Sequence, residues 1–225
     1  MKFFLYSLFI LLLCSSCTSQ KNTNEFIIAT SGRYLFNADE VLEVHFKDKV
    51  LHVKWRGNNN IAPLKVNDNS FYMKALNEKM MFVKKPEMHI ELAPKTEHDG
   101  IIYHFRKMKE GEKTPSEYFM AKEYKNALAA YLEIKKQDSL SLVINENKMN
   151  RLGYEYIRKN NFDLALEVFK INVALYPNNS NVFDSLGEAY LLQKDSTNAE
   201  INFKKALAIN PENRSAKRFL TKVTK

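Results

Sequence analysis

The sequence predicts an α+β protein, in which an N-terminal antiparallel β meander or small barrel is followed by an α-helical repeat superhelix. Three observations lead to this prediction. Apolar residues alternate with a period of two between residues 26 and 109, which is the spacing of half-buried strands. From residue 146 onward the apolar spacing becomes helical, and one pattern returns after 34 residues. An apolar run that ends at Cys17 precedes both parts.

Composition and charge restrict the classes of function. The chain has 225 residues, 45% of them hydrophobic and 12% aromatic, which is enough for one or two modest cores. Its 34 basic and 26 acidic side chains give a net charge of +8. The excess is spread over the β part and the helical part, so no segment forms the basic patch of a nucleic-acid binder. We therefore expect no nucleic-acid partner.

Residues 1–17 are predicted to be a signal peptide. Lys2 precedes the apolar run Phe3–Leu13, which is interrupted by Ser7 and is too short to span a bilayer as a mature helix. Ser15-Ser16-Cys17 resembles a bacterial lipobox, in which small residues precede a cysteine that receives a diacylglycerol. The resemblance implies a lipoprotein anchored through acyl chains such as palmitate on Cys17.

Several consequences follow from lipidation at Cys17. Cys14 would leave with the signal peptide, so the mature chain would have no thiol for a disulfide, a nucleophile or a metal site. Residues 18–25 would form a polar tether, and Thr18 after the cysteine favours the outer membrane by the same resemblance. Both the periplasmic and the surface face remain open. An ordinary signal peptide and an uncleaved membrane anchor are the alternatives.

Residues 26–109 are predicted to form the β-sheet module. The clearest hairpin joins Val41–Phe46 to Val50–Trp55 through the charged turn Lys47–Lys49. Other strands are expected at Gly32–Phe36, Ser70–Lys74, Met80–Lys84, Met88–Leu92 and Ile101–Arg106. The aromatic side chains would fill the interior, because a module of about 80 residues needs them for its core. A cavity for a small ligand is the alternative.

The histidines of this module do not predict a metal site. His45 and His52 would face each other across the hairpin if its turn is tight, which is more typical of a polar surface pair than of a metal centre. His89, His98 and His104 show no spacing typical of metal ligands. We expect no metal and no other cofactor.

The β-sheet module also resembles a known domain. Ser31-Gly32-Arg33-Tyr34, the hairpin, Ala62-Pro63-Leu64, Asn69-Ser70-Phe71 and Gly100–Phe105 resemble the small β domain that follows the serine β-lactamase-like hydrolase domain in many bacterial proteins. The hydrolase motifs are absent from the sequence: no serine is followed by lysine three positions later, and no Gly-x-Ser-x-Gly occurs. We therefore expect a protein that is not an enzyme and has no catalytic residues.

Residues 146–179 and 180–213 form two repeats of one pattern. Their shared positions are Leu152 and Leu186, Gly153 and Gly187, Tyr156 and Tyr190, Ala165 and Ala199, Phe169 and Phe203, and Pro177 and Pro211. This pattern resembles the tetratricopeptide repeat (TPR), a pair of antiparallel helices that stacks into a superhelix. Residues 115–145 would be a linking helix or a degenerate earlier repeat, and residues 214–225 a capping helix.

The resemblance to the TPR family implies a peptide-binding groove on the first helix of each repeat. By position, its residues are Asn147, Asn150, Tyr154, Ile157, Arg158, Asn181, Asp184, Glu188, Leu191 and Leu192. Asp184 and Glu188 stand where a clamp for a C-terminal carboxylate would need Lys or Asn, so a polar or basic extended segment fits better. The alternative is that two repeats bind nothing and both acids merely face solvent.

These patterns predict a membrane-anchored lipoprotein adaptor of the bacterial cell envelope, an outer membrane lipoprotein that acts as a scaffold. Its partner would be a protein or peptide of the envelope, bound through the helical repeats. Two other functions remain open: a carrier whose β-sheet module binds a small apolar ligand, and an accessory subunit of a separate serine hydrolase.

Overall fold

The computed structural model describes residues 20–138, 141 and 143–223. The predicted signal peptide with Cys17 lies outside these residues. The chain divides into two compact units, a sheet unit of residues up to Phe36 and Val41–Lys109, and a helical unit of Asn37–Glu40 and Glu110–Lys225. The predicted α+β class is confirmed. The superhelical stacking of the repeats stays a prediction.

The sheet unit contains one antiparallel sheet of nine strands within the described residues. The strands are β1 (Gly32–Asn37), β2 (Glu40–Lys47), β3 (Val50–Trp55), β4 (Asn58–Ile61), β5 (Leu64–Lys65), β6 (Ser70–Met73), β7 (Glu78–Val83), β8 (His89–Leu92) and β9 (His104–Lys107). Their order is β4-β3-β2-β1-β9-β8-β7-β6-β5. The sheet therefore keeps two edge strands, β4 and β5.

The sheet is strongly curled around an aromatic core. The ring of Tyr34 on β1 lies 6.1 Å from the ring of Phe82 on β7, although two strands separate β1 from β7 in the order. In a flat sheet, three strand spacings would keep them about 14 Å apart. Trp55, Phe71, Phe82 and Phe105 are all at most 2% exposed. The interior is thus filled by side chains, as the aromatic content predicts.

A short helix, α1 (Asn24–Thr30), lies where the sequence predicts the end of the tether and the start of the β-sheet module. The side chain of Thr23 accepts a hydrogen bond from Phe26 N and caps the helix. The Phe26 ring then packs on Phe46, Phe71 and Phe82. Burial of this ring against three strands accounts for the helix, since a segment of seven residues is too short to be helical alone.

The tether prediction is wrong from residue 20 onward. Lys21 pairs with Val50, and Asn22 N donates to the Lys49 carbonyl at 2.9 Å. Lys65 N on the edge strand β5 donates to Gln20 Oε1 at 2.8 Å. One segment of three residues therefore contacts both β3 and β5, which is possible only because the sheet curls.

The helical unit consists of successive antiparallel helix pairs. Its helices are α2 (Pro115–Met120), α3 (Tyr124–Gln137), α4 (Glu146–Arg158), α5 (Phe162–Leu175), α6 (Ser180–Leu192), α7 (Ser196–Ile209) and α8 (Arg214–Val223). α2 and α3 pack through Phe119, Ala127 and Tyr131, so a pair with a shortened first helix occupies the region predicted as a linking helix or degenerate repeat.

Glycine and phenylalanine set the spacing inside the two regular pairs. A Cβ atom at Gly153 would lie 2.4 Å from Phe169 Cε1, and one at Gly187 would lie 2.6 Å from Phe203 Cε1. Both phenylalanines are fully buried. The repeated Gly and Phe of the sequence pattern are therefore in direct contact within each pair.

No helix in the described part of the chain combines the length and apolar character needed to cross a membrane.

Candidate functional site

The candidate site is the face formed by α4, α6 and α8, here called the first-helix face. Of the predicted groove residues, Asn147, Arg158, Asn181 and Leu192 are exposed. Half-buried positions are Asn150, Tyr154, Ile157, Glu188 and Leu191. Asp184 is only 4% exposed. The alternative in which Asp184 and Glu188 merely face solvent is therefore wrong, because Asp184 is buried and Glu188 is half-buried.

Polar contacts connect the centre of this face. The Tyr154 hydroxyl donates to Ser185 Oγ at 3.2 Å, and its proximity to the Glu188 carboxylate partly opposes the rise that burial causes in the pKa of that group. On the other side, Ser215 Oγ donates to Glu188 Oε1 at 3.3 Å. Glu188 thus lies between Tyr154 of α4 and Ser215 of α8.

Asp184 lies one helical turn before Glu188 on the same face. Its Oδ1 atom is buried without a hydrogen-bond partner in the described part of the chain. Among the same residues, neither Asp184 nor Glu188 forms an ion pair, and Arg218 acts on both only through its longer-range field. The face therefore holds two carboxylates whose charge is incompletely compensated.

The pKa values of these groups reflect their burial. Burial raises the pKa of Asp184, and the neighbouring Ser215 hydroxyl and the charge of Arg218 only partly oppose the rise. Burial also raises the pKa of Glu188, and repulsion from Asp184 adds to it. Burial raises the pKa of Tyr154 to about 12, so its hydroxyl stays protonated and can donate.

Ser215 and Arg218 belong to this face, although the sequence analysis gave α8 only a capping role. The repeat period could have identified both residues, because Ser215 lies 34 residues after Asn181 and Arg218 lies 34 residues after Asp184. Ala216, Phe219 and Leu220 also pack in the core with Phe203. α8 therefore caps the core and contributes polar side chains to the site.

Two clusters of histidines lie on the sheet. His45 and His52 are directly opposite in the β2–β3 register, with rings stacked at 5.5 Å. The sequence spacing of His89, His98 and His104 does not indicate a ligand cluster, but the β8–β9 register brings His89 and His104 together with Glu91. His98 is instead buried beside Glu78, with Nε2 3.1 Å from Glu78 Oε1.

A cavity of about 610 Å³ lies beside α1. Its lining combines the apolar Phe26, Phe82 and Met88 with the charged Glu25, Lys65, Asp68 and Lys84. The lining is therefore mixed, and it includes Phe82 of the aromatic core.

Comparisons with known proteins give structural neighbours of the helical part. No protein-family model and no curated protein sequence matches this chain. Among solved structures, one similar chain is the first TPR domain of Spaghetti (RPAP3) bound to the HSP90 peptide SRMEEVD. The two sequences are 21% identical, the match covers 49% of this chain and 84% of that chain, and the TM-score is 0.35. The TPR domain of Sgt2 from Aspergillus fumigatus has 19% identity, coverage of 49% and 72%, and a TM-score of 0.35. MamA has 21% identity, coverage of 50% and 63%, and a TM-score of 0.34. At these TM-scores the likeness assigns no function.

Proposed function

We propose that this protein is a membrane-anchored lipoprotein adaptor without catalytic activity, which binds an extended basic segment of a partner protein through the first-helix face. The observation behind the proposal is the pair of Asp184 and Glu188, two enclosed carboxylates one turn apart that lack an ion pair within the described residues. A TPR-type arrangement of the helix pairs would present this face to an extended chain.

The charge state of the pair explains why a basic segment would bind. Burial and mutual repulsion disfavour two negative charges on neighbouring turns, and a lysine or arginine of a partner would relieve both. Glu188 is half-buried, so a side chain from outside can reach its carboxylate. The Ser215 hydroxyl donates to that carboxylate and restricts its motion, which lowers the entropic cost of binding.

Isosteric substitutions test the face. We expect Asp184→Asn combined with Glu188→Gln to reduce partner capture from detergent extracts roughly tenfold, since hydrogen bonds to a charged group contribute about 1.5–3 kcal/mol. Asn and Gln preserve shape, whereas lysine at the buried position 184 would disturb folding. Quantitative mass spectrometry of copurified proteins measures the effect.

Glu155→Gln is the matched control. Glu155 lies on α4, whereas Asp184 and Glu188 lie on α6; its carboxylate faces Arg151 at 3.9 Å and its side chain is 41% exposed. Its removal should leave the set of partners intact. Identical partner sets for all three proteins would contradict binding through Asp184 and Glu188.

The proposed anchor makes a separate prediction. Cys17→Ser removes the sulfur that would carry the diacylglycerol, so we expect most of the protein to move from the outer membrane fraction of the bacterial cell envelope to the soluble fraction. Fractionation followed by immunoblotting measures the change, with Cys14→Ser as the control that should remain membrane-bound. Unchanged membrane partition of Cys17→Ser would refute lipidation at this residue.

The packing of the sheet unit favours the adaptor over a carrier of a small apolar ligand. Its interior is occupied by Tyr34, Trp55, Phe71 and Phe105, and the cavity beside α1 is lined in part by charged side chains. An apolar ligand would have to displace water from lysine and carboxylate groups there.

A further inference from the structure

The outward face of β8 and β9 brings together three side chains that commonly bind metals. His89 and Glu91 are two residues apart on β8, so they point to the same side of the sheet. His104 on β9 is directly opposite Glu91. The residues between them, Ile90 and Phe105, are fully buried in the core, which places the three polar side chains on the outer surface.

We propose that His89, Glu91 and His104 form a binding site for a late first-row divalent metal ion such as Zn²⁺. His89 Nε2 lies 3.0 Å from Glu91 Oε1, and His104 Nδ1 lies 3.5 Å from the same oxygen. All three donor atoms lie within 4.8 Å of one another. Tetrahedral zinc, with bonds of about 2.0–2.2 Å, separates its ligand atoms by about 3.3 Å, so little rearrangement is needed.

The hydrogen bond on the far side of His89 favours metal binding by Nε2. Its Nδ1 lies 2.8 Å from the backbone carbonyl of Glu87. A carbonyl oxygen can only accept, so Nδ1 carries a hydrogen. Nε2 is hydrogen-bonded to Glu91 Oε1 at 3.0 Å, and the hydrogen of that bond is the one that a metal ion would replace. A backbone carbonyl in this position is a common partner of metal-bound histidine, because it fixes the tautomer and the ring orientation.

The surroundings define the kind of ion and its expected affinity. Two imidazoles and one carboxylate suit zinc and similar ions, whereas magnesium prefers oxygen ligands. The His89 and Glu91 side chains are 17% and 22% exposed, and His104 is 60% exposed, which leaves room for water as a fourth ligand. Arg106 lies opposite His89, and its positive charge should make the affinity moderate.

The full chain, purified in detergent and freed of metal with a chelator, tests the site by calorimetric titration with Zn²⁺. We expect saturable binding of one ion, and binding weakened roughly tenfold to hundredfold by His104→Ala and by Glu91→Gln. Titration with Co²⁺ should produce the visible absorption of a low-coordinate ion, and His89→Ala should abolish it. Mg²⁺ should not bind at this site.

The His45–His52 pair provides the matched control. The ring centroids of His45 and His52 are 5.5 Å apart, compared with 5.7 Å for His89 and His104. However, His52 Nδ1 is hydrogen-bonded to Asn60 Oδ1. Within the described residues, no carboxylate joins this pair in a ligand cluster. The double variant His45→Ala, His52→Ala should bind Zn²⁺ like the unmodified protein. Absence of saturable binding, unchanged binding in His104→Ala and Glu91→Gln, or loss of binding in the control would each overturn the proposed site.

Discussion

Replacing Gly187 with alanine should destabilise the helical unit by about 3 kcal/mol, at the upper end of the usual cost of overpacking a core. The new Cβ atom would lie 2.6 Å from Phe203 Cε1 and 2.8 Å from Cδ1. Phe203 cannot easily move away, because it is fully buried and its ring is stacked on Phe219 at 5.6 Å. α6 and α7 would have to separate.

The sign of this effect makes the test informative. Glycine inside a helix is normally less favourable than alanine by roughly 0.5–1 kcal/mol, so propensity alone predicts stabilisation. Urea unfolding followed by circular dichroism at a helical wavelength measures the free energy of unfolding of the helical unit. Thr197→Ala, at an exposed position of α7, also places an alanine in a helix of this unit, but it removes side-chain atoms instead of adding one, so it causes no clash and should change stability little.

A double-mutant cycle identifies the contact itself. Phe203→Leu is destabilising alone, but it removes the ring atoms that the new methyl group would meet. The cost of Gly187→Ala should therefore be smaller in the Phe203→Leu background. Equal costs in both backgrounds would show that the Gly187–Phe203 contact is not the reason for glycine at this position.

The repeat pattern predicts the helical unit well because its physical requirements are local. Glycine at 153 and 187 and phenylalanine at 169 and 203 recur at one period, and each glycine contacts the phenylalanine of its own pair. The β2–β3 hairpin can be predicted from the sequence equally well, since two runs of β-forming residues flank the turn residues Asp48 and Lys49. Both turn residues have positive φ.

The parts that the sequence did not reveal depend on long-range contacts. β4 contains Asn58-Asn59-Asn60, and β5 has two residues, so neither shows the β-forming composition of a strand. Pairing with β3 and β6 defines them. α1 contains Phe26, Ile27 and Ile28, a run that looks like a strand until the cap at Thr23 and the packing of Phe26 are known.

The same distinction applies to the two sites. Repeat position predicts that Asp184 and Glu188 share a face, but their enclosure depends on how α8 packs. His89 and Glu91 can be placed on one side of a strand from sequence alone. The position of His104 depends on the irregular connection from residue 93 to 103, whose length does not specify the register of β9 against β8.

Replacing Phe105 with alanine should destabilise the sheet unit by about 3–5 kcal/mol, the usual cost of truncating a buried phenylalanine. Phe105 lies on β9, the middle strand of the sheet, and is fully buried. Its ring centroid is 4.7 Å from that of Phe36 and 5.4 Å from that of Trp55. The substitution therefore removes both aromatic contacts and leaves a cavity in the core.

Trp55 offers a selective readout, because it is the single tryptophan of the chain and lies in the core of the sheet unit. Its fluorescence during urea unfolding should show a lower midpoint for Phe105→Ala and a smaller decrease for Phe105→Leu, which refills part of the cavity.

His104→Ala is the control, because it changes the adjacent residue on the outer face, where the side chain is 60% exposed. In metal-free buffer it should change stability by at most about 0.5 kcal/mol. Similar midpoints for Phe105→Ala and His104→Ala would contradict the alternation of core and surface positions along β9. Because His104 owes its place beside Glu91 to that alternation, the same result would also remove the geometric basis of the metal site.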